Sequence, residues 1–203
     1  MLRSLLVLFL FAGPHGDKKP APTVPDAGDG PAYTSSGELK FPEKYREWIF
    51  LTSGVDMSYS TMVDPSHSMF DNVFVNPSAY QAFQKTGTWP DKTVMVLEVR
   101  GAEGAASINK RGHTQSAEVM QIEVHVKDSS KESGWTFYGG FNNSGSGKAF
   151  ERTAACYTCH QQHGAVDTTF VQFYPTLLSK AKEKGTLSAE YLKELPAPAA
   201  TGK

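Results

Sequence analysis

Two cysteines make up the whole thiol content of this chain, Cys156 and Cys159, and His160 stands directly after the second in "CYTCH". C-x-x-C-H is the attachment signature of c-type haem, and each residue type has a chemical task in it. The two sulfurs add as thioethers across the two vinyl groups, while the imidazole sits under the iron. One helical turn suits this, because it brings both sulfurs to one porphyrin edge and leaves the histidine beneath the plane. The spacing therefore predicts one covalently attached haem c, bound by Cys156 and Cys159, with His160 as the metal ligand. Three other chemistries fit less well. A dithiol redox pair belongs after a strand in a thioredoxin-like pattern, which is missing here. A zinc site needs a second pair of ligands at matched spacing, where this chain has only scattered histidines. A plain disulfide has no use for the adjacent histidine.

An iron held by His160 takes its function from whatever stands on its other side. Met57, Met62, Met69, Met95 and Met120 are candidate thioether ligands, with core filling as the ordinary alternative for each. His67, His113, His125 and His163 are candidates on the same footing, and spacing selects none of them. In "EVMQIEVHV", strand alternation puts Val119, Gln121, Glu123 and His125 on one face and Met120, Ile122, Val124 and Val126 on the other. The apolar face belongs to a core. The polar face is either solvated or the wall of a pocket in which Glu123 handles protons, its pKa raised by desolvation toward the range useful to a general base.

Elements must position these residues, and composition sets the frame. Twenty basic and twenty-one acidic residues nearly cancel in a chain of 203 residues. No basic stripe is present, which sets nucleic acid aside as a partner. "MLRSLLVLFLFAG" has a basic residue, an apolar run and then small residues, the build of a secretory signal over residues 1–12. That run is shorter than the roughly 20 residues of a membrane-spanning helix, and no cysteine follows it to carry a lipid. The expectation is a periplasmic or otherwise exported protein. Residues 13–37, rich in Pro, Gly, Ala and Asp, read as a flexible linker. The domain is expected over residues 38–185, with a polar tail over 186–203.

Within the domain, "FPEKYREWIF" suggests a helix, with Pro42 in its first turn and Tyr45, Trp48 and Ile49 on one face. Asn72 to Val75 read as a strand, followed by Asn76 as N-cap, Pro77 at the first helical position and a short helix closed by Gly87. "KTVMVLEVRG", "SAEVMQIEVHVKD" and "GWTFYGGF" alternate with near period two and predict an antiparallel sheet. After Lys148 the pattern turns helical around the cysteines and over "TTFVQFYPTLLSKAKEKG", which Pro175 should break or kink.

"FPEKYREWIF", "FDNVFVNPSAYQAFQKTGTWPDKTVMVLE", "WTFYGGF", "CYTCH" and "DTTFVQFYP" together resemble the cytochrome P-460 family, which includes the cytochromes c′-beta. The resemblance spans about residues 39 to 180. It implies an α+β fold: a mainly antiparallel β-sheet with peripheral helices, the C-terminal helical segment carrying haem attachment. It also implies a homodimer with five-coordinate haem held by the motif histidine. Family members with the P-460 chromophore cross-link a lysine to the haem, oxidise hydroxylamine and use a nearby glutamate as proton relay. The lysine position aligns with Leu97, while Lys92 is displaced along the strand and on its other face. The glutamate aligns with Glu123. Without the cross-link, the resemblance points to the c′-beta branch, whose apolar distal cap leaves iron open to nitric oxide, carbon monoxide or similar gases. Phe70 is the candidate cap, with Leu97 beside it. Hydroxylamine oxidation through Glu123 is the enzymatic alternative. Electron transfer to a redox partner protein, with Met69, Met95 or Met120 as sixth ligand, is the third.

Overall fold

The computed structural model describes residues 28–58, 68–131, 134–141 and 145–196. Met62, His67, the apolar segment 1–12 and the last residues of the expected tail lie outside them. Among the described residues, seven strands form one sheet: β1 (Leu39–Lys40), β2 (Ile49–Val55), β3 (Met69–Val75), β4 (Val94–Glu103), β5 (Thr114–Lys127), β6 (Trp135–Gly139) and β7 (Ser146–Ala149). Their order is β1-β7-β6-β5-β4-β3-β2, and every pairing is antiparallel. Four helices accompany it: α1 (Pro77–Thr86), α2 (Ala155–His163), α3 (Pro175–Lys184) and α4 (Ala189–Glu194). The architecture is the expected α+β sheet with mostly peripheral helices.

The sheet is apolar on both faces because β4 and β5 carry large side chains at successive positions. Val94 and Val96 point to one side, with Ile122, Val124 and Val126 of β5, and join Leu39, Tyr45, Tyr138 and Phe141 in one core. Met95 points to the other side, with Val75, Trp135 and Phe137, where Phe83 of α1 and Leu177 and Ala181 of α3 cover it. Each fully buried Leu or Phe here is worth about 1.5–3 kcal/mol. Directly paired residues share a face, so the registers Val73↔Leu97, Leu97↔Glu123 and His125↔Phe137 place all five side chains on the helix-covered side.

Four local expectations need correction. The segment after Pro42 forms only a 3-10 turn, Tyr45–Glu47, and Ile49 already opens β2, because pairing with Val75 of β3 offers "IFLTSGV" a sheet edge. Asn76 does stand before α1, but its Oδ1 accepts the N–H of Val94 at 2.8 Å, and Asp29 supplies the cap through Ser78 N at 2.8 Å and Ser78 Oγ at 2.6 Å. Residues 28–37, placed in the linker on composition, therefore lie against the domain. Residues beyond 185 also contribute: α4 buries Tyr191, and Ser188 N donates to the Ala165 carbonyl at 2.8 Å. Pro175 breaks the last helical segment as expected: a 3-10 turn, Val171–Phe173, ends before it, and α3 begins at Pro175, whose missing N–H costs nothing at the first position.

Candidate functional site

Helix α2 carries the motif. Cys156 and Cys159 lie at i, i+3 and Cys156 and His160 at i, i+4, so all three share one face. The helix has no fully buried residue of its own. It docks instead through Tyr157, the residue after the first cysteine, whose ring stacks on Phe137 at 4.5 Å with an interplanar angle of 2°. The Tyr157 hydroxyl accepts the N–H of Phe137 at 3.1 Å, and Arg152 lies over the Tyr157 ring. This turns Cys156, Cys159 and His160 toward the sheet, where all three line a cavity of about 570 Å³. Both thiols are free, and burial raises the pKa of Cys156.

His160 is the most constrained side chain of the site. Its ring packs against Phe170 at 4.2 Å, Phe137 at 4.8 Å and the edge of His125 at 5.0 Å. Its Nδ1 lies 2.8 Å from the carbonyl oxygen of Thr168. A carbonyl only accepts, so Nδ1 carries the proton and the lone pair is left on Nε2. Burial lowers the His160 pKa, favouring the neutral ring, although the Thr168 bond opposes this. A neutral imidazole with Nδ1–H engaged is the form that binds a metal.

The local chain is built to hold that carbonyl in place. Asp167 and Thr168 have φ of 48° and 60°, a left-handed conformation that a β-branched residue such as Thr168 rarely adopts. The Asp167 carboxylate accepts the Trp89 N–H at 3.0 Å and Lys127 Nζ at 2.8 Å, which anchors the turn to the end of β5. Gly164, just after α2, makes the return possible. A β-carbon there would lie 2.7 Å from Thr168 Cα and 2.6 Å from the His160 carbonyl oxygen.

The opposite wall comes from the sheet: Thr52, Asp71, Val73, Met95, Leu97, Glu123 and His125, with Met57 beyond the end of β2. Leu97 and Glu123 thus share the cavity with the cysteine motif. Glu123 is half-buried and accepts Gln121 Nε2 at 2.6 Å. Burial raises its pKa, the Gln121 bond opposes this, and the nearby Asp71 charge adds to the rise. Asp71 is raised in the same way, by burial and then by Asp56. His125 stacks on Phe137 at 3.9 Å, and burial, then His160, hold its pKa well below the ordinary histidine value.

Phe70 is not part of this arrangement. It pairs with Arg100 and Val55, and on β3 it falls on the face of Asn72 and Phe74, away from the cavity. The expected cap is therefore corrected: alternation sends Asp71, not Phe70, to the side of Leu97. Of the methionine candidates, Met57 and Met95 line the cavity, whereas Met69 and the exposed Met120 do not. His163 pairs with Glu194 at the surface, and Lys92 sits in the turn before β4 with φ of 64°. The sequence reading missed Thr52, Asp71, Val73, Phe170 and Phe173. Strand alternation puts Asp71 and Val73 on one face, but only the register Val73↔Leu97 shows that this face is the cavity's. Among the described residues no group of three or more His, Cys, Asp or Glu side chains could hold a metal ion, so the zinc alternative finds no ligand set.

The residues present fit a haem. Two free thiols and an imidazole with its outer nitrogen already bonded face one cavity, within the roughly 300–1,000 Å³ range of cofactor pockets, and its walls include Val73, Met95, Leu97, Phe170 and Phe173. An antiparallel sheet that holds such a pocket under a helical C-x-x-C-H segment defines a haem-binding β-sheet protein. Residues 42–171 match the family model described as Cytochrome P460, and the chain belongs to that family, with haem as its cofactor. Among curated proteins, none matches the chain.

Proposed function

We propose that this protein holds one haem c through Cys156, Cys159 and His160 and binds nitric oxide, carbon monoxide or a similar small uncharged gas. The observation that carries the reading is the pairing of His160 Nδ1 with the Thr168 carbonyl inside a cavity shared with both cysteines. A haem held there by Cys156, Cys159 and His160 would supply an iron able to bind a diatomic gas. The chain's own residues do the rest. His160 presents Nε2, while Val73, Leu97 and Met95 keep that part of the cavity apolar, which favours an uncharged ligand over a charged one. Leu97 stands where the resemblance implies a cross-linking lysine, and no described residue lining the cavity is a lysine. The N-terminal pattern supports an exported, periplasmic protein, and family likeness supports a homodimer.

The test is an optical spectrum of the purified haem-loaded protein. High-spin ferric and ferrous spectra that change on adding nitric oxide are expected. A low-spin spectrum with a methionine-to-iron charge-transfer band would refute the open site and favour an electron carrier, for which Met95 and Met57 are the thioethers in the cavity. A strongly red-shifted ferrous Soret band would indicate a cross-link and remove the argument from Leu97.

One observation favours a second reading, hydroxylamine oxidation: Glu123 is a half-buried carboxyl in the same cavity, poised to take a proton as electrons leave the substrate. Hydroxylamine with an oxidant dye should then turn over in the wild type and not in Glu123→Gln. No turnover in the wild type rules this reading out.

A further inference from the structure

The wall of the cavity that faces away from His160 has an unusual construction. His160 rests against His125 of β5 and Phe137 of β6. The sheet then runs β5-β4-β3-β2, three strand steps of about 4.8 Å each, or about 14 Å, to its edge. At that far end the cavity is lined by Thr52 of β2, Asp71 of β3 and Met57. Met57 is 42% exposed, and its side chain lies over Gly54. Gly54 pairs with Asp71 and therefore faces the cavity. A β-carbon on Gly54 would overlap the Met57 sulfur and come within 2.7 Å of its Cγ. The missing side chain is thus the seat of the thioether.

The backbone leading to Met57 is held in place as well. Asp56 has φ of 51°, outside the comfortable range for a residue with a side chain. Its carboxylate accepts Ser68 Oγ at 2.7 Å and Met69 N at 2.9 Å, and its own N–H donates to the Met69 carbonyl at 2.9 Å. A polar clamp to the start of β3 fixes this strained residue. The next side chain is one of the most adaptable apolar groups available, an unbranched thioether.

We infer that Met57, seated on Gly54 and aimed by Asp56, is the cap that controls entry of small ligands to the face of the cavity opposite His160. It fills the role that Phe70 cannot fill from the other side of the sheet. The inference rests on the small-gas reading above, since it concerns the gas's access to that same cavity. A flexible apolar side chain at the mouth slows entry by having to leave its seat. It also offers an incoming ligand no strong hydrogen bond.

The experiment is flash photolysis of carbon monoxide from the full-length, ferrous, haem-loaded protein. Met57→Ala should raise the association rate by at least about tenfold, equivalent to about 1.4 kcal/mol of barrier. Gly54→Ala should raise it in the same direction while leaving Met57 in the chain, because the new methyl displaces the end of a flexible side chain rather than backbone. Met57→Leu should bring the rate back toward wild type. Met120→Ala, at an exposed methionine that does not line the cavity, should not alter it. Equal rates in wild type, Met57→Ala and Gly54→Ala would overturn the cap while leaving the small-gas reading intact. A wild-type protein that takes up haem and binds neither carbon monoxide nor nitric oxide would overturn the small-gas reading itself. A low-spin wild type that turns high-spin in both Met57→Ala and Met57→Leu would make Met57 an iron ligand and overturn the cap.

Discussion

The attachment chemistry is decided by individual atoms, and it can be tested there. Cys156 and Cys159 are free thiols on one face of α2. If each forms a thioether, haem stays with the wild-type chain after denaturation and extraction with acid acetone. Cys156→Ser or Cys159→Ser should retain it through one bond, and the double variant should release it entirely. Release from the wild type would show that the site binds haem without covalent attachment. His160 acts at the same scale but through its partner, because the Thr168 carbonyl selects the nitrogen that remains free.

At the scale of elements, two short segments do work out of proportion to their length. The first is residues 28–37, which composition marks as linker. Asp29 caps α1, the helix that brings Phe83 onto the sheet. Asp29→Ala should therefore cost about 1 kcal/mol, measured by urea unfolding, with the haem spectrum unchanged. The second is the return after α2. Gly164→Ala places a methyl against backbone atoms of Thr168 and His160 that cannot give way. Unfolding experiments should show a loss of about 1–3 kcal/mol. In haem-loaded protein the resonance Raman iron–histidine stretch should fall, because a weakened Nδ1–H bond makes the imidazole a poorer donor. An unchanged stretch would mean that the Thr168 bond survives, and with it that the turn is not what aims His160.

For the molecule as a whole, the charge network on the far face of the sheet matters most. Glu98 of β4 is 1% exposed. It accepts the Tyr45 hydroxyl and pairs with Arg46 and Arg100, each at 2.5 Å. Burial pushes its pKa up, but the Arg100 and Tyr45 bonds and the two guanidinium charges outweigh this and hold it below the ordinary carboxylate range. A depressed folded-state pKa stabilises the fold above the unfolded value of about 4.3. That stabilisation is lost as pH falls through the folded value. Glu98→Ala should cost about 3–5 kcal/mol near neutrality, because it strands Arg100 partly buried. The difference from wild type should shrink in acid below about pH 4. Glu123 and Asp71 act with the opposite sign, since their raised values disfavour the charged form and acid relieves that cost. A variant deficit that is independent of pH would remove the electrostatic account and leave Glu98 as packing only.

What the sequence alone determined is local in origin. The C-x-x-C-H spacing, the strand alternation in β4 and β5, and the Pro77 to Gly87 helix are set by covalent geometry and side-chain period, which act over a few residues. The same alternation placed Glu123 and His125 on one face. It could not say whether that face met water or a pocket, because the answer depends on α2 arriving from residues far along the chain. Phe70 is subject to the same limit. Its neighbourhood in sequence is apolar and close to the strand of Leu97, but only the register of β3 against β4 shows which face it occupies. The cap of α1 by Asp29, the strained turn that aims Thr168 at His160, and the Gly54 seat beneath Met57 were likewise invisible. Each joins residues whose nearness is created by folding and carries no periodic signal. The chain thus names its cofactor in five consecutive residues, while the tertiary structure decides which side chains surround it, because pocket walls are assembled from strands that meet only through hydrogen-bond register.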